Sequence, residues 1–217
     1  MGKESDKNYK IKNGVNFMIA VIDYGVGNLF SVEKAFAAIG EEVIVTGMAE
    51  DLEASDKLVL PGVGAFGDCM KNLEATGLIP IILEQITNKK PLLGICVGLQ
   101  ILFEGSEESP NAKGLGIFKG TVKRINAPQL KIPHMGWNAV STQDKLFKGL
   151  KENPYFYFVH SYHAVPKDRS LITATTEYGE TLTAAVASGN IYATQFHPEK
   201  SGDVGLQVLK NFVNIGS

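Results

Sequence analysis

The sequence predicts an α/β protein built on a mostly parallel sheet flanked by helices, because strand-like and helix-like segments alternate through its first half. Residues 18–24 and 91–95 are apolar runs of the kind that lie buried on both faces of such a sheet. After Gly120 the pattern changes to short strands, the last two joined by a tight turn at residues 188–190. We therefore expect an open α/β sheet with additional antiparallel strands in the C-terminal half.

Each element follows from apolar spacing and from the positions of glycine. Residues 29–39 have helical apolar spacing, and Gly40 is placed to end that helix. Two further helices are predicted at residues 78–87 and 204–213. The other predicted strands are residues 42–46, 57–60, 122–125, 155–159, 171–175, 184–187 and 191–194.

Composition excludes several classes of function. The 217 residues carry a formal net charge of -2, which gives no electrostatic reason to bind nucleic acid or an anionic membrane. No apolar run approaches the roughly 20 residues needed to span a bilayer. Two cysteines form no disulfide framework and favour the reducing cytoplasm. Neither a Cys/His cluster at metal-ligand spacing nor a Walker loop is found, so no metal or cofactor is expected.

The first 17 residues are expected to lie outside the fold. They are polar and lack the apolar core of a secretory signal. We interpret residues 1–17 as a disordered leader or cloning remnant, the alternative being a genuine extension with its own contact. Residues 18–217 then form a single domain.

The most informative motif is Gly-x-Cys-x-Gly at residues 94–98, between a predicted strand and a predicted helix. A sharp turn there would project Cys96 from the carboxyl end of the strand, as in the nucleophile elbow of hydrolases. A helix N-terminus beneath the sulfur would favour thiolate, and the N–H of Val97 would face a developing oxyanion. The competing interpretation of Cys96 is a small buried hydrophobe, and Cys69, without such a context, is interpreted as structural.

A thiolate nucleophile needs a base, and His197 is the best placed of four histidines. A strand delivers it, Pro198 stiffens the turn, and Glu199 is close enough to orient the imidazole as the third member of a triad. A surface turn with a stray histidine is the competing interpretation. His160 and His163, on apolar strands, are expected to be structural, and His134 to make local hydrogen bonds.

These residues together resemble the class I (triad-type) glutamine amidotransferases, in which His-x-Glu follows Gly-x-Cys-x-Gly at this separation. The glycine-rich block at residues 61–66 agrees with that family, and by resemblance Val63 and Gly64 supply the second oxyanion N–H. The resemblance also implies a flavodoxin-like sheet. Glutamine is then expected to bind at positions that match the family's substrate contacts, namely Gln100, Glu108, Ser161 and Tyr162.

Within the family, five blocks resemble the glutaminase subunit of imidazole glycerol phosphate synthase of histidine biosynthesis. They begin at Asp23, Pro61, Pro133, Tyr157 and His197, and the resemblance covers residues 18 to the end. It implies a heterodimer with a (β/α)8 cyclase subunit that consumes the ammonia. The partner-facing positions are then Asn28, Pro133, Met135, Trp137 and Lys200, although Trp137 could instead be a core residue.

Three other functions remain open at this level. A glutaminase of another pathway, such as pyridoxal phosphate or anthranilate synthase, would share the triad but should lack the Pro-His-Met-Gly-Trp-Asn block at residues 133–138. A cysteine peptidase or peroxide-sensing protein of related topology would act on thiol chemistry without glutamine. A non-catalytic binding module would have no need of all three triad residues.

Overall fold

A computed structural model describes residues 10–12, 15–142 and 144–216. Fourteen strands occur within those ranges: β1 (Lys10–Lys12), β2 (Val15–Phe17), β3 (Ile19–Ile22), β4 (Val43–Thr46), β5 (Lys57–Gly62), β6 (Leu92–Cys96), β7 (Gly120–Arg124), β8 (His134–Ala139), β9 (Ser141–Thr142), β10 (Tyr155–His160), β11 (Tyr162–Pro166), β12 (Ile172–Glu177), β13 (Thr181–Ser188) and β14 (Ile191–Thr194). The α-helices are α1 (Leu29–Ala38), α2 (Ala49–Ala54), α3 (Phe66–Thr76), α4 (Ile79–Thr87), α5 (Val97–Gln100) and α6 (Gly202–Val213).

The main sheet has eight strands in the order β4-β3-β5-β6-β14-β13-β12-β9. Its first five strands are parallel and follow the 2-1-3-4-5 order of flavodoxin-like folds, whereas the last three pair antiparallel. Two antiparallel pairs, β7 with β11 and β8 with β10, stand beside it. The predicted fold class is therefore confirmed, including the change of character in the C-terminal half.

The core forms where the sequence pattern places it. Strands β3, β5 and β6 are buried along their whole length, as expected for strands covered on both faces. Helix α1 buries Val32, Ala35 and Phe36 at helical spacing, and Gly40 has a φ of 78° just beyond its end. Helices therefore cover the sheet and leave the carboxyl ends of its parallel strands for a site.

Several elements were missed by the sequence analysis. Helix α3 buries Phe66, Cys69, Met70 and Leu73, and Gly77 ends it at a φ of 71°, so its sequence signal was present. Helix α2 and strands β8, β9 and β11 were missed as well. Strand β8 contains Gly136 at a φ of 129°, which hides the alternating pattern of a strand. None of the described helices is long and apolar enough to cross a membrane.

The described part of the N-terminal segment is more regular than expected. Strand β1 pairs antiparallel with β2, although the sequence showed no strand pattern there. Phe17 packs against the main core, and the Lys57 Nζ lies 5.8 Å from the centre of its ring. Phe17 therefore belongs with the fold. Residues 1–9 and 13–14 lie outside the described residues, so the disordered leader stays a prediction.

Candidate active site

Cys96 is the last residue of β6 and stands at a strained turn. Its φ of 55° and ψ of -110° lie in a region that residues with a side chain rarely adopt, at a cost of roughly 1–3 kcal/mol. This conformation turns the chain from strand to helix in a single residue and leaves the sulfur in a cavity. The structure therefore places Cys96 in the elbow geometry that the sequence predicts.

Three glycines allow the strands to pack against the elbow. A Cβ at Gly98 would lie 1.9 Å from the Leu60 carbonyl oxygen, and one at Gly62 would lie 2.6 Å from the Gly98 nitrogen. A Cβ at Gly94 would approach the Gly98 oxygen to 2.9 Å. Glycine is thus required on both sides of Cys96 because the backbones of β5 and β6 pack directly against the start of α5 there.

The helix predicted after Cys96 is present and is a single turn. Helix α5 has four residues, Val97–Gln100, and Ile101 closes its only turn. Because the macrodipole grows from aligned peptide units, one turn supports a thiolate less than a long helix would. Helix α5 by itself therefore contributes only a weak field at the Cys96 sulfur.

His197 and Glu199 form a buried pair beside the cysteine. The His197 Nδ1 lies 2.8 Å from the Glu199 Oε1, and both side chains are 2% exposed. Burial opposes the protonated ring, but the sulfur of Cys96 and the carboxylate of Glu199 outweigh it and raise the pKa of His197 to about 10. The Nε2 makes no conventional hydrogen bond with a described residue, which leaves it available on the side of the cavity.

A cavity of about 290 Å³ joins the residues that the sequence analysis singled out. It is lined by Val63, Gly64, Cys96, Val97, Gln100, Glu108, Val159, His160, Ser161, Tyr162, His197 and Lys200. Every predicted catalytic, oxyanion and substrate residue lies in this wall except Glu199, which contacts His197 from behind. The described residues include no group of three or more His, Cys, Asp or Glu side chains able to hold a metal ion.

The glycine-rich loop above the cavity is held from below by two buried side chains. The Cys69 thiol donates to the Val63 carbonyl at 3.3 Å, and the Tyr24 hydroxyl donates to the Pro61 carbonyl at 2.6 Å. Burial raises the pKa of both side chains, so each stays a protonated donor. Cys69 therefore has the structural role expected of it, and its contact is with the loop that carries Val63.

Two of the expected substrate contacts already have protein partners. The Glu108 Oε2 accepts from the Phe66 N–H at 2.8 Å. The first N–H groups of α3 have no acceptor within the helix, and they favour a carboxylate there. The Gln100 Nε2 donates to the Tyr162 carbonyl at 3.0 Å. Both side chains are thereby held in one orientation toward the cavity.

The expected partner-facing residues differ in exposure. Met135 and Trp137 are 62% and 55% exposed on β8, so the alternative of a core tryptophan is wrong. Pro133 and Lys200 are also exposed. Asn28 is partly buried and caps α1 by accepting from the Ser31 N–H at 3.3 Å.

Comparison with known proteins settles the family. The family model for class-I glutamine amidotransferases matches residues 20–215. The chain belongs to this family. The amidotransferase is 54% identical over 200 residues to the imidazole glycerol phosphate synthase subunit HisH of Methanothermobacter thermautotrophicus, covering 91% of this chain and 98% of that protein. It is 49% identical over 200 residues to the subunit of the same name from Methanocaldococcus jannaschii, covering 91% of this chain and all of that protein.

Solved structures agree with the fold of the amidotransferase. PurLQS of Thermotoga maritima superimposes with a TM-score of 0.72 at 20% identity, covering 91% of this chain and 98% of that chain. A crystal structure described as a glutamine amidotransferase gives 0.71 at 20% identity, covering 89% and 98% of the two chains. At this identity the likeness concerns the fold alone.

Proposed function

We propose that this amidotransferase is the glutaminase subunit of imidazole glycerol phosphate synthase. It hydrolyses L-glutamine to glutamate and ammonia and passes the ammonia to a (β/α)8 cyclase subunit. The observation that carries the chemistry is the convergence of Cys96 and the His197–Glu199 pair on one cavity. The names of its relatives support the pathway. Both cysteines are free thiols, which suits a cytoplasmic enzyme.

The first half-reaction forms a thioester. The Cys96 thiolate attacks the side-chain amide carbon of glutamine, and the charge that develops on the amide oxygen is met by backbone N–H groups of Val97 and of the Val63–Gly64 loop. The C–N bond then breaks as protonated His197 gives its proton to the leaving nitrogen. The raised pKa keeps the ring protonated at neutral pH, so a donor is in place for this step.

The second half-reaction reuses the same histidine. Neutral His197 takes a proton from water, the resulting hydroxide attacks the thioester carbon, and the C–S bond breaks to release glutamate. Glu199 stabilises the imidazolium in both halves and holds the Nδ1 proton, so the Nε2 is always the nitrogen that exchanges protons.

The partner surface is assigned to the strand pair β8–β10. Met135, Trp137 and Tyr155 expose apolar or aromatic side chains there, of the kind enriched at the centre of interfaces. Lys200 is exposed and also lines the cavity, so a partner bound to this surface would lie beside the active site. Enclosure by a partner suits the chemistry, because ammonia released into water is protonated or lost.

A glutaminase assay with and without the cyclase and its nucleotide substrate tests the proposal. We expect weak activity in the isolated chain, strong stimulation by the loaded cyclase, and no activity in Cys96→Ala. The switch would be the peptide at Val63, whose glycine neighbours allow its N–H to turn toward or away from the oxyanion. A missing oxyanion donor costs about 10²–10³ in rate, which sets the expected stimulation.

The outcomes separate the parts of the proposal. Glutamine hydrolysis by folded Cys96→Ala protein would rule out Cys96 as the nucleophile. Full activity without the cyclase would rule out the switch but leave the triad. Stimulation by the synthase partner of another pathway, and none by the cyclase, would overturn the assigned pathway.

A further inference from the structure

Gln195 is a fully buried polar residue that contacts the nucleophile. It directly follows β14, its side chain has 0% exposure, and its Nε2 lies 3.7 Å from the Cys96 sulfur. It belongs to none of the motifs that predicted the site. The available signal was its position two residues before His197, where a strand leaves the sheet beside the elbow.

Its amide can have only one orientation. The Tyr162 carbonyl is an acceptor, so the Gln100 nitrogen 3.0 Å from it must be a donor. The same Gln100 nitrogen lies 3.0 Å from the Gln195 Oε1, which must therefore be the oxygen. The other end of the Gln195 amide is then the NH₂ group, and an N–H faces the sulfur.

The Tyr162 carbonyl on which this order depends is itself fixed. The His160 Nδ1 lies 2.9 Å from it and has to donate, and burial lowers the pKa of His160 to about 3, so its Nε2 is an acceptor. The His134 Nδ1 donates to the His160 Nε2 at 3.0 Å, and the Asn138 amide nitrogen donates to the His134 Nε2 at 3.2 Å. The donor and the acceptor are thus determined for every hydrogen bond in this network, from Asn138 to Gln195.

We propose that Gln195 is a catalytic residue that donates a hydrogen bond to the Cys96 sulfur and thereby stabilises the thiolate. A neutral thiol accepts a hydrogen bond weakly, whereas an anionic sulfur accepts a charge-assisted bond about twice as strong. The donor therefore favours the ionised form. It compensates for the short helix α5, which has only four residues. The inference rests on the proposed function only in taking Cys96 as the nucleophile.

The test is the pH dependence of Cys96 alkylation by iodoacetamide, followed by mass spectrometry of the Cys96 peptide. Gln195→Met keeps most of the side-chain volume and removes the donor. Since a hydrogen bond to a charged group contributes about 1.5–3 kcal/mol, the pH of half-maximal alkylation should move upward by about one unit or more. Gln195→Leu, which likewise removes the donor, should move it by a similar amount.

Two controls keep the result interpretable. Thr194→Val changes a neighbouring buried residue whose hydroxyl donates to the Phe196 carbonyl, and should leave the alkylation profile as in the wild type. Cys69 is fully buried, so its alkylation reports unfolding within each sample. Where alkylation of Cys69 shows that Gln195→Met has unfolded, Gln195→Leu is the variant that tests the inference.

An alkylation profile equal to the wild type in a folded Gln195 variant overturns the inference. Glutaminase activity is not needed for this measurement, so the two proposals can fail separately. A shifted profile in a chain without glutaminase activity would support the role of Gln195 and reject the proposed function. An unchanged alkylation profile of the Gln195 variants, in a chain that is an active glutaminase, would support the proposed function and reject the role of Gln195.

Discussion

At the scale of single residues, the backbone of Cys96 is strained, and this strained conformation directs its thiol into the cavity. A φ of 55° with a ψ of -110° is readily adopted by glycine only. The turn at this residue joins β6 to α5 and aims the thiol into the cavity. Removing the sulfur should therefore allow the strain to be measured.

We predict that Cys96→Gly is more stable than Cys96→Ala. Both variants lose the sulfur, but alanine keeps the strained φ, worth roughly 1–3 kcal/mol, against a glycine entropy cost of about 0.5–1 kcal/mol. A net gain of about 1 kcal/mol corresponds to a melting temperature roughly 2–4 °C higher in a chain of this size. Cys69 lies inside α3, so Cys69→Gly should instead be less stable than Cys69→Ala. Equal melting temperatures for the two Cys96 variants would contradict the prediction, because the strain would then be no larger than the glycine cost of about 0.5–1 kcal/mol.

The second prediction at this scale concerns the division of labour between His197 and Glu199. Glu199→Gln removes a charge that raises the pKa of His197, so this pKa should fall below about 10. The imidazole still moves protons, and glutaminase activity should fall less than in His197→Ala. The measurements are kcat and an NMR titration of the ring. Equal loss of activity in two folded variants would contradict the assigned roles.

At the scale of elements, the pair His134 and His160 connects the strand pair β8–β10 to the wall of the cavity. His134 packs between Phe158 and Tyr178, with ring centroids 4.8 Å and 4.1 Å away, and donates to His160. Both rings must stay neutral, since burial lowers the pKa of His134 to about 4 and that of His160 to about 3. Protonation of either ring would turn its accepting Nε2 into a donor and break the hydrogen bond that this nitrogen accepts.

The neutral rings predict a loss of stability in acid. His134 has an ordinary pKa of 6.5 when unfolded, so between pH 6.5 and about 4 the unfolded chain binds more protons than the folded one. Its contribution to stability is present above pH 6.5 and lost as the pH falls through this window. His134→Phe retains the ring stack without the titration. The variant should lose less melting temperature between pH 7 and 4 than the wild type, whereas equal losses would mean that His134 does not control acid stability.

The elements of the site were predictable where chemistry and pattern coincide. Cys96, His197 and Glu199 lie in short motifs at strand ends, and parallel strands bring those ends together at one edge of the sheet. Gln195 and the His134–His160 pair were not predictable in their roles. Their partners are 99 and 26 positions away along the chain, and only tertiary packing decides which buried polar groups meet.

At the scale of the whole molecule, the active site and the exposed ribbon formed by β8 and β10 are one connected structure. Trp137 lies opposite Tyr157 in the ribbon, and the Tyr157 carbonyl accepts from the His197 N–H at 3.0 Å. The Tyr157 N–H in turn donates to the Ser201 hydroxyl at 3.0 Å, just after the turn that carries Glu199. A partner that binds the ribbon would therefore act on the backbone that positions His197, the proposed catalytic base.

We predict that Trp137→Ala weakens binding of the cyclase without unfolding the chain. The side chain is 55% exposed, so its removal creates no buried cavity and the melting temperature should stay within about 1 °C. An interface tryptophan typically contributes 2 kcal/mol or more, so the dissociation constant should rise roughly 30-fold.

The matched control is Met48→Ala, an equally exposed apolar side chain just beyond the edge strand β4. It should leave the dissociation constant unchanged, because exposure alone does not make an interface residue. The contact of Trp137 with Tyr157, whose ring centroid is 6.3 Å away, supplies a second readout. If the ribbon transmits binding to His197, stimulation of glutaminase by saturating cyclase should also fall in Trp137→Ala. Unchanged affinity and unchanged stimulation together would move the partner surface away from β8 and β10.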